Sequence, residues 1–179
     1  MKKQVFIING HNGVGKDTFV KLFEKDIDEK KTLILNYSSV AKVKQLALFA
    51  GWDGEKTERS RKFLSDLKLL TTEYNDMSFK DMKETMESFD EFAASFNKIA
   101  FLHIREPEEI TKAKNEFNAK TILVTRDSAN NIANNMADEN VFNYDYDIVI
   151  ENNGTLEELQ DKVIAFASDF EKDVLKERY

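Results

Sequence analysis

Nine residues, Gly10 to Thr18, form the stretch of this chain best equipped to do chemistry. They read G-H-N-G-V-G-K-D-T and follow the apolar run Val5-Phe6-Ile7-Ile8. A buried strand that breaks into a glycine-rich turn and then opens a helix aims several backbone N–H groups at one point, where the helix dipole also favours negative charge. Such a turn holds phosphate. Gly10, Gly13 and Gly15 permit the tight turn, His11, Asn12 and Val14 complete the cradle, and Lys16 can reach the outer phosphates of a nucleotide. The glycines read G-x-x-G-x-G with a lysine behind them, which argues against a dinucleotide-binding turn.

One position departs from the usual phosphate loop. Asp17 stands where a Ser or Thr hydroxyl is expected, and the hydroxyl moves to Thr18. One residue turns a side chain by about 100° around a helix, so Thr18 cannot simply take over the usual magnesium-ligand place. A carboxylate beside a γ-phosphate is repulsive unless magnesium or a proton intervenes, which puts Asp17 on a magnesium-bound water or against the acceptor. Asp17 and Thr18 are therefore the candidate metal residues.

The displaced hydroxyl resembles the nucleoside monophosphate kinases, and G-K-D-T in particular resembles the deoxynucleoside monophosphate kinases and the animal-type phosphomevalonate kinases. Further segments extend the likeness: Tyr37-Ser38-Ser39-Val40 with Lys42 and Lys44, Gly51 to Gly54, Arg59 to Leu67, His103 to Pro107, and Glu151 to Leu159. The resemblance implies ATP and Mg2+ as cofactors, a small phosphorylated acceptor such as a nucleoside monophosphate, and a P-loop NTPase fold. That fold is a three-layer α/β/α sandwich with a five-stranded parallel sheet in the order 2-3-1-4-5. His103 falls where many of these kinases carry an aspartate, and a buried histidine bonded to backbone is the expectation there.

An acceptor that is itself a phosphate needs its charge neutralised and no strong general base, whereas an acceptor hydroxyl needs a carboxylate within reach. Arg105 is the strongest basic candidate, because it lies just past a buried strand, where open parallel sheets place their ligand crevice. Arg126 occupies the corresponding place after the next strand. With Lys16 and Asp17 these two arginines make up the catalytic candidates, and Ser38, Lys42, Arg59, Lys62, Asp66 and Arg105 the acceptor-binding ones. A nucleotide-dependent switch without an acceptor is the rival reading from another class.

These residues must be placed by an alternation of short β-branched runs and longer helical patterns, the signature of a parallel sheet covered by helices. Strands are expected at 4–9, 32–37, 99–104, 120–125 and 146–151. The first helix runs to about Asp26 with Phe19, Leu22 and Phe23 facing the sheet. Thr155-Leu156-Glu157-Glu158 reads as a capping box opening a last helix whose Leu159, Val163, Phe166 and Phe170 recur at helical spacing.

Roughly 60 residues separate the second and third strands, more than a crossover helix requires. This insertion, about 38–98, would be the acceptor-binding part, with an apolar stripe of Phe63, Leu67, Leu70 and Tyr74 and a second face of Arg59, Lys62 and Asp66. Trp52 reads as a core anchor. The Asn-rich stretch 127–145 is the expected lid, without Arg or Lys of its own, and Asp127 is the nearest approach to an acid following an apolar run.

The chain's 179 residues suit a single domain. A net charge of −7 argues against a broad nucleic-acid or acidic-membrane surface, leaving a small molecule as partner and a monomer or homodimer as the assembly. There is no cysteine, hence no disulfide framework or cysteine metal site. The apolar stretch behind Lys2 and Lys3 is too short for a signal peptide or membrane span, so a cytoplasmic location is expected.

Overall fold

The computed structural model describes residues 2–27, 31–93, 95–127 and 140–176. They fall into two compact units, Met1–Asn36 with Ala93–Tyr179, and Tyr37–Phe92.

The first unit is built on a five-stranded parallel sheet in the order β2-β3-β1-β4-β5, the arrangement of P-loop NTPases. Its strands are β1 (Lys3–Asn9), β2 (Thr32–Ser38, reaching into the second unit), β3 (Asn97–His103), β4 (Lys120–Thr125) and β5 (Ile148–Glu151). β1 runs parallel to both β3 and β4, with Phe6 opposite Phe101 and Ile8 opposite His103 on one side and Asn9 opposite Leu123 on the other. A central parallel strand is covered on both faces, which explains why Val5 to Asn9 are all buried and the sequence is continuously apolar from Val5 to Ile8.

Among the described residues, the α-helices of this unit are α1 (Lys16–Asp26), α5 (Pro107–Phe117) and α6 (Leu156–Lys176). Phe19 and Phe23 of α1 are fully buried, Leu22 packs beside them, and Leu159 and Val163 of α6 join the same core. Phe23 meets Phe101 edge-on at 5.2 Å, and Phe6 meets Phe166 at 5.1 Å. Such tilted aromatic pairs contribute about 0.5–1.5 kcal/mol each beyond their buried area. The capping box forms: Thr155 N donates to Glu158 Oε2 at 3.1 Å and Glu158 N to Thr155 Oγ1 at 3.3 Å. Phe170 lies outside the residues whose side chains are described.

β5 is two residues shorter than the pattern suggests, because Tyr146 and Asp147 serve as anchors instead. Asp147 accepts from Thr121 N and from Lys114 Nζ, both at 2.8 Å. Burial pushes its carboxyl up, but the Lys114 and Thr121 bonds outweigh that and hold it below the usual carboxylate range. Of the expected lid, 128–139 lie outside the described residues.

The second unit holds three helices, α2 (Ala41–Phe49), α3 (Glu58–Asn75) and α4 (Met77–Phe92). Val43 and Ala47 of α2 and Phe79, Met82 and Met86 of α4 form its buried interior. The stripe expected on α3 is not a core face. Phe63, Leu70 and Tyr74 are 37%, 63% and 85% exposed, and no residue of α3 is fully buried. The half-buried face is Ser60, Leu64, Leu67, Lys68 and Thr71, offset around the helix from the apolar stripe and sharing Leu67 with it. Trp52 is not a core anchor either; it is half-buried, and its indole N–H donates to Glu55 O at 3.0 Å within a surface turn.

Candidate functional site

The phosphate loop joins β1 to α1 at the carboxyl end of the sheet. Gly10 sits at φ +145°, and a β-carbon there would overlap the Val124 carbonyl of β4. Gly15 is the N-cap of α1, in the left-handed conformation at φ +103°, with no side chain capping the first turn. The N–H groups of that turn are thus left to an anion rather than to the protein's own hydroxyl or carboxylate. Lys16 Nζ folds back over the loop, donating to Gly10 O at 2.6 Å and His11 O at 2.8 Å. Its charge is thereby held over the cradle.

The loop is fixed by two asparagines that the sequence reading did not single out. Asn9, fully buried, accepts from Gly10 N at 2.8 Å. Its amide donates to Arg105 O at 3.2 Å and Tyr146 Oη at 2.7 Å. Burial pushes the Tyr146 phenol up to about 12, so the hydroxyl is protonated and donates a hydrogen bond to Val141 O at 2.8 Å. Asn152, just after β5, donates to Val14 O at 2.8 Å and lies where a β-carbon on Gly15 would go. Polar residues ending apolar strands were the available signal, since a buried asparagine must find partners.

His11 contributes its carbonyl to Lys16, but its ring is buried, packed against Phe142 with the centroids 5.1 Å apart and the planes tilted by 37°. Neither ring nitrogen has a hydrogen-bond partner among the described residues. Asn12 and Gly13 are exposed at the tip of the loop, and Val14 is buried beneath it.

Asp17 and Thr18 occupy the first turn of α1, with Asp17 85% exposed and Thr18 half-buried. Asp17 Oδ1 lies 3.9 Å from His103 Nδ1 at the end of β3. His103 is not bonded to backbone as expected: Nε2 lies 2.9 Å from Asn36 Oδ1 of β2. Burial, together with the charges of Lys16 and Arg105, lowers its pKa to about 4 despite Asp17, so the imidazole is neutral at pH 7. Asp17 and Thr18, both on the first turn of α1, are the residues that could hold a magnesium ion, which would draw the rest of its shell from nucleotide phosphates and water. Among the described residues no group of three or more acidic or histidine side chains could hold an ion by itself.

Arg105 follows β3 and Arg126 follows β4, so the two arginines leave the two strands that flank β1. Arg126 approaches Gly154 O at 3.5 Å in the loop after β5. Asp127 pairs with Asn153 rather than with its neighbour: its N–H donates to Asn153 Oδ1 at 2.9 Å and its carboxylate accepts from Asn153 Nδ2 at 2.8 Å.

Lys42, Arg59, Lys62 and Asp66 belong to the Tyr37–Phe92 unit, as does Ser38, half-buried at the end of β2. There Lys62 and Asp66 form an exposed ion pair at 2.8 Å, one turn apart on α3. Lys42 turns to Asp81 of α4 at 3.4 Å, and Asp81 also accepts from Tyr37 Oη at 2.5 Å. Arg59 is exposed on the first turn of α3.

No helix among the described residues is long and apolar enough to cross a membrane. No curated protein matches the chain. Among solved structures, TT1252 from Thermus thermophilus is similar at 16% identity and a TM-score of 0.47, over 94% of this chain and 98% of that one. Shikimate kinase from Aquifex aeolicus vf5 is similar at 11% identity and a TM-score of 0.45, over 96% and 99%. The family profile of the KAP family P-loop domain matches residues 1–177, and with its phosphate loop and strand order the chain belongs to that family of P-loop NTPases.

Proposed function

We propose that this protein transfers the γ-phosphate of ATP to a small phosphorylated acceptor, a (deoxy)nucleoside monophosphate, giving the diphosphate. The observation that carries the reading is the pair of arginines, Arg105 and Arg126, leaving the strands on either side of the phosphate-loop strand. One arginine is enough to steady the transferring phosphate in an NTPase that only hydrolyses; a second gives an anionic acceptor the neutralisation it needs before it can approach the γ-phosphate.

In this reading the acceptor phosphate needs no general base, because its oxygen is already ionised. That oxygen bonds to the γ-phosphorus as the bond to the β,γ-bridging oxygen breaks and ADP leaves. Lys16 and the first-turn amides of α1 take up the charge on the donor, while Arg105 and Arg126 align the acceptor. Magnesium, when bound, neutralises charge on the β- and γ-phosphates. Asp17 and Thr18 would hold it through water.

The variant Asp17→Asn tests the acceptor class, since it keeps size and removes charge and basicity. With a phosphate acceptor, activity falls and is partly recovered at high magnesium. With a hydroxyl acceptor, such as a phosphomevalonate-like kinase would not need but a sugar or alcohol kinase would, Asp17 is the proton acceptor. Magnesium then gives no rescue, and the loss approaches the roughly 10²–10⁴-fold worth of a general base.

A further inference from the structure

The α3 helix carries an apolar face that its own unit leaves bare. At about 100° per residue, Phe63, Leu70 and Tyr74 fall within about 40° of one another around the helix, next to the half-buried face and outside it. All three are exposed. Side chains of this size and exposure offer roughly 300–400 Å2 of apolar surface, as large as the patches that mark interaction sites. Two such faces, with the charged rows beside them, cover about 1,000 Å2, which is the least that a specific interface uses.

One charged row borders the stripe on the side away from the half-buried face: Arg59, Lys62, Asp66 and Glu73, all exposed. Its cations come first along the helix and its anions last. Lys62 is held by Asp66 at 2.8 Å, whereas Arg59 and Glu73 have no partner among the described residues. A row that changes sign along its length complements an inverted copy of itself. A two-fold axis perpendicular to α3, passing between Asp66 and Leu67, sets Phe63 of one copy against Leu70 of the other and Arg59 against Glu73. It also brings Arg59 beside the Tyr74 ring, a favourable place for a guanidinium. Asp66 meets its own copy at the axis, where the two Lys62 ammoniums offset the repulsion. A parallel pair turns the charged row toward the opposite side of the partner's stripe and forms none of these contacts.

We propose that this protein forms a homodimer in which α3 packs antiparallel on α3 of a second copy, through the Phe63, Leu70 and Tyr74 stripe and two reciprocal Arg59–Glu73 pairs. Such an interface is isologous, so it closes at two copies. The inference uses the Tyr37–Phe92 unit alone and stands apart from the phosphoryl-transfer reading.

Sedimentation equilibrium of the full chain, from about 1 to 200 μM, tests it, with a reversible monomer–dimer equilibrium and a micromolar Kd expected for so small an interface. Leu70→Lys, at an exposed position, stays monomeric with an unchanged circular dichroism spectrum. Arg59→Glu and Glu73→Arg each raise Kd about tenfold, and the double variant, which restores the pair with its signs exchanged, recovers the dimer. The chain has no cysteine, so thiols introduced by Arg59→Cys and Glu73→Cys are the only ones present. Oxidised together, these two variants give a mixed disulfide dimer, and oxidised separately they give none. A monomer at every concentration overturns the inference, and a Leu70→Cys thiol shielded from labelling in that monomer would put another segment of this chain on the stripe. A dimer indifferent to Leu70→Lys and to the charge exchange, or self-linked single variants without the mixed product, overturns it as well.

Discussion

Replacing Asn9 by leucine tests how far one buried carboxamide holds the phosphate loop together. The side chain makes three hydrogen bonds, to Gly10 N, Arg105 O and Tyr146 Oη, at a position with no solvent exposure. Leucine fills the space but leaves the buried Gly10 N–H without an acceptor, a loss of about 1–3 kcal/mol. The other two bonds are part-buried, and Tyr146 keeps Val141 as a partner, so each adds roughly 0.5–1 kcal/mol. The total is roughly 2–5 kcal/mol, which for a chain of this length lowers Tm by about 5–15 °C. Urea denaturation and calorimetry of Asn9→Leu, Tyr146→Phe and the double variant measure it, with a coupling of about 0.5–1.5 kcal/mol expected between the two. Under the proposed function the acceptor's KM also rises more than that of ATP, because Asn9 holds the Arg105 backbone. A stability change below about 0.5 kcal/mol, inside the range of an ordinary surface substitution, would refute the reasoning.

Lys16→Ala should leave the melting transition in place and cost about 10²–10³ in phosphoryl-transfer rate, the usual effect of removing a preorganised charge; full activity would contradict the loop's role. Arg105→Ala should raise the acceptor's KM by the roughly 1.5–3 kcal/mol of a charge-assisted hydrogen bond while ATP affinity holds, and the reverse pattern in steady-state kinetics would move Arg105 to the donor side. Asp147 has its pKa lowered in the folded state, so its contribution is present above the ordinary carboxylate range and lost as pH falls through the folded value. Asp147→Asn should therefore cost about 1–2 kcal/mol at pH 7 and almost nothing once the folded-state carboxyl is protonated in acid, read from urea midpoints across pH; a cost independent of pH would show that charge plays no part.

Much of the fold was legible because it rests on local pattern. The run Val5 to Ile8 is apolar on both faces, as a central parallel strand must be, and the turn that follows it carries glycines where φ is +145° and +103°. The capping box at Thr155 was equally plain, since both of its partners lie within four residues. What escaped the sequence depends on which strands become neighbours. Asn9 meets Tyr146 across 137 positions, Asn152 meets Val14 across 138, and His103 meets Asn36 across 67. No spacing rule reaches so far, and asparagine bonds equally well to its own turn, to backbone or to another side chain.

The α3 stripe shows a different limit. Phe63, Leu67, Leu70 and Tyr74 have helical spacing, and helical spacing is what α3 adopts, but periodicity marks an apolar face without saying what covers it. The ion pairs show another. Lys42, an acceptor-binding candidate beside the Tyr37–Val40 segment, pairs with Asp81, 39 residues on in the same unit, a partner that no spacing along the chain supplies.

The most direct test of the central claim is ³¹P NMR of the purified protein with ATP, Mg2+ and each deoxynucleoside monophosphate in turn. The account predicts that ADP and a deoxynucleoside diphosphate appear together in equal amounts with at least one acceptor, and that Lys16→Ala yields neither. ATP consumed at the same rate with and without acceptor, releasing inorganic phosphate and no new diphosphate, would contradict it.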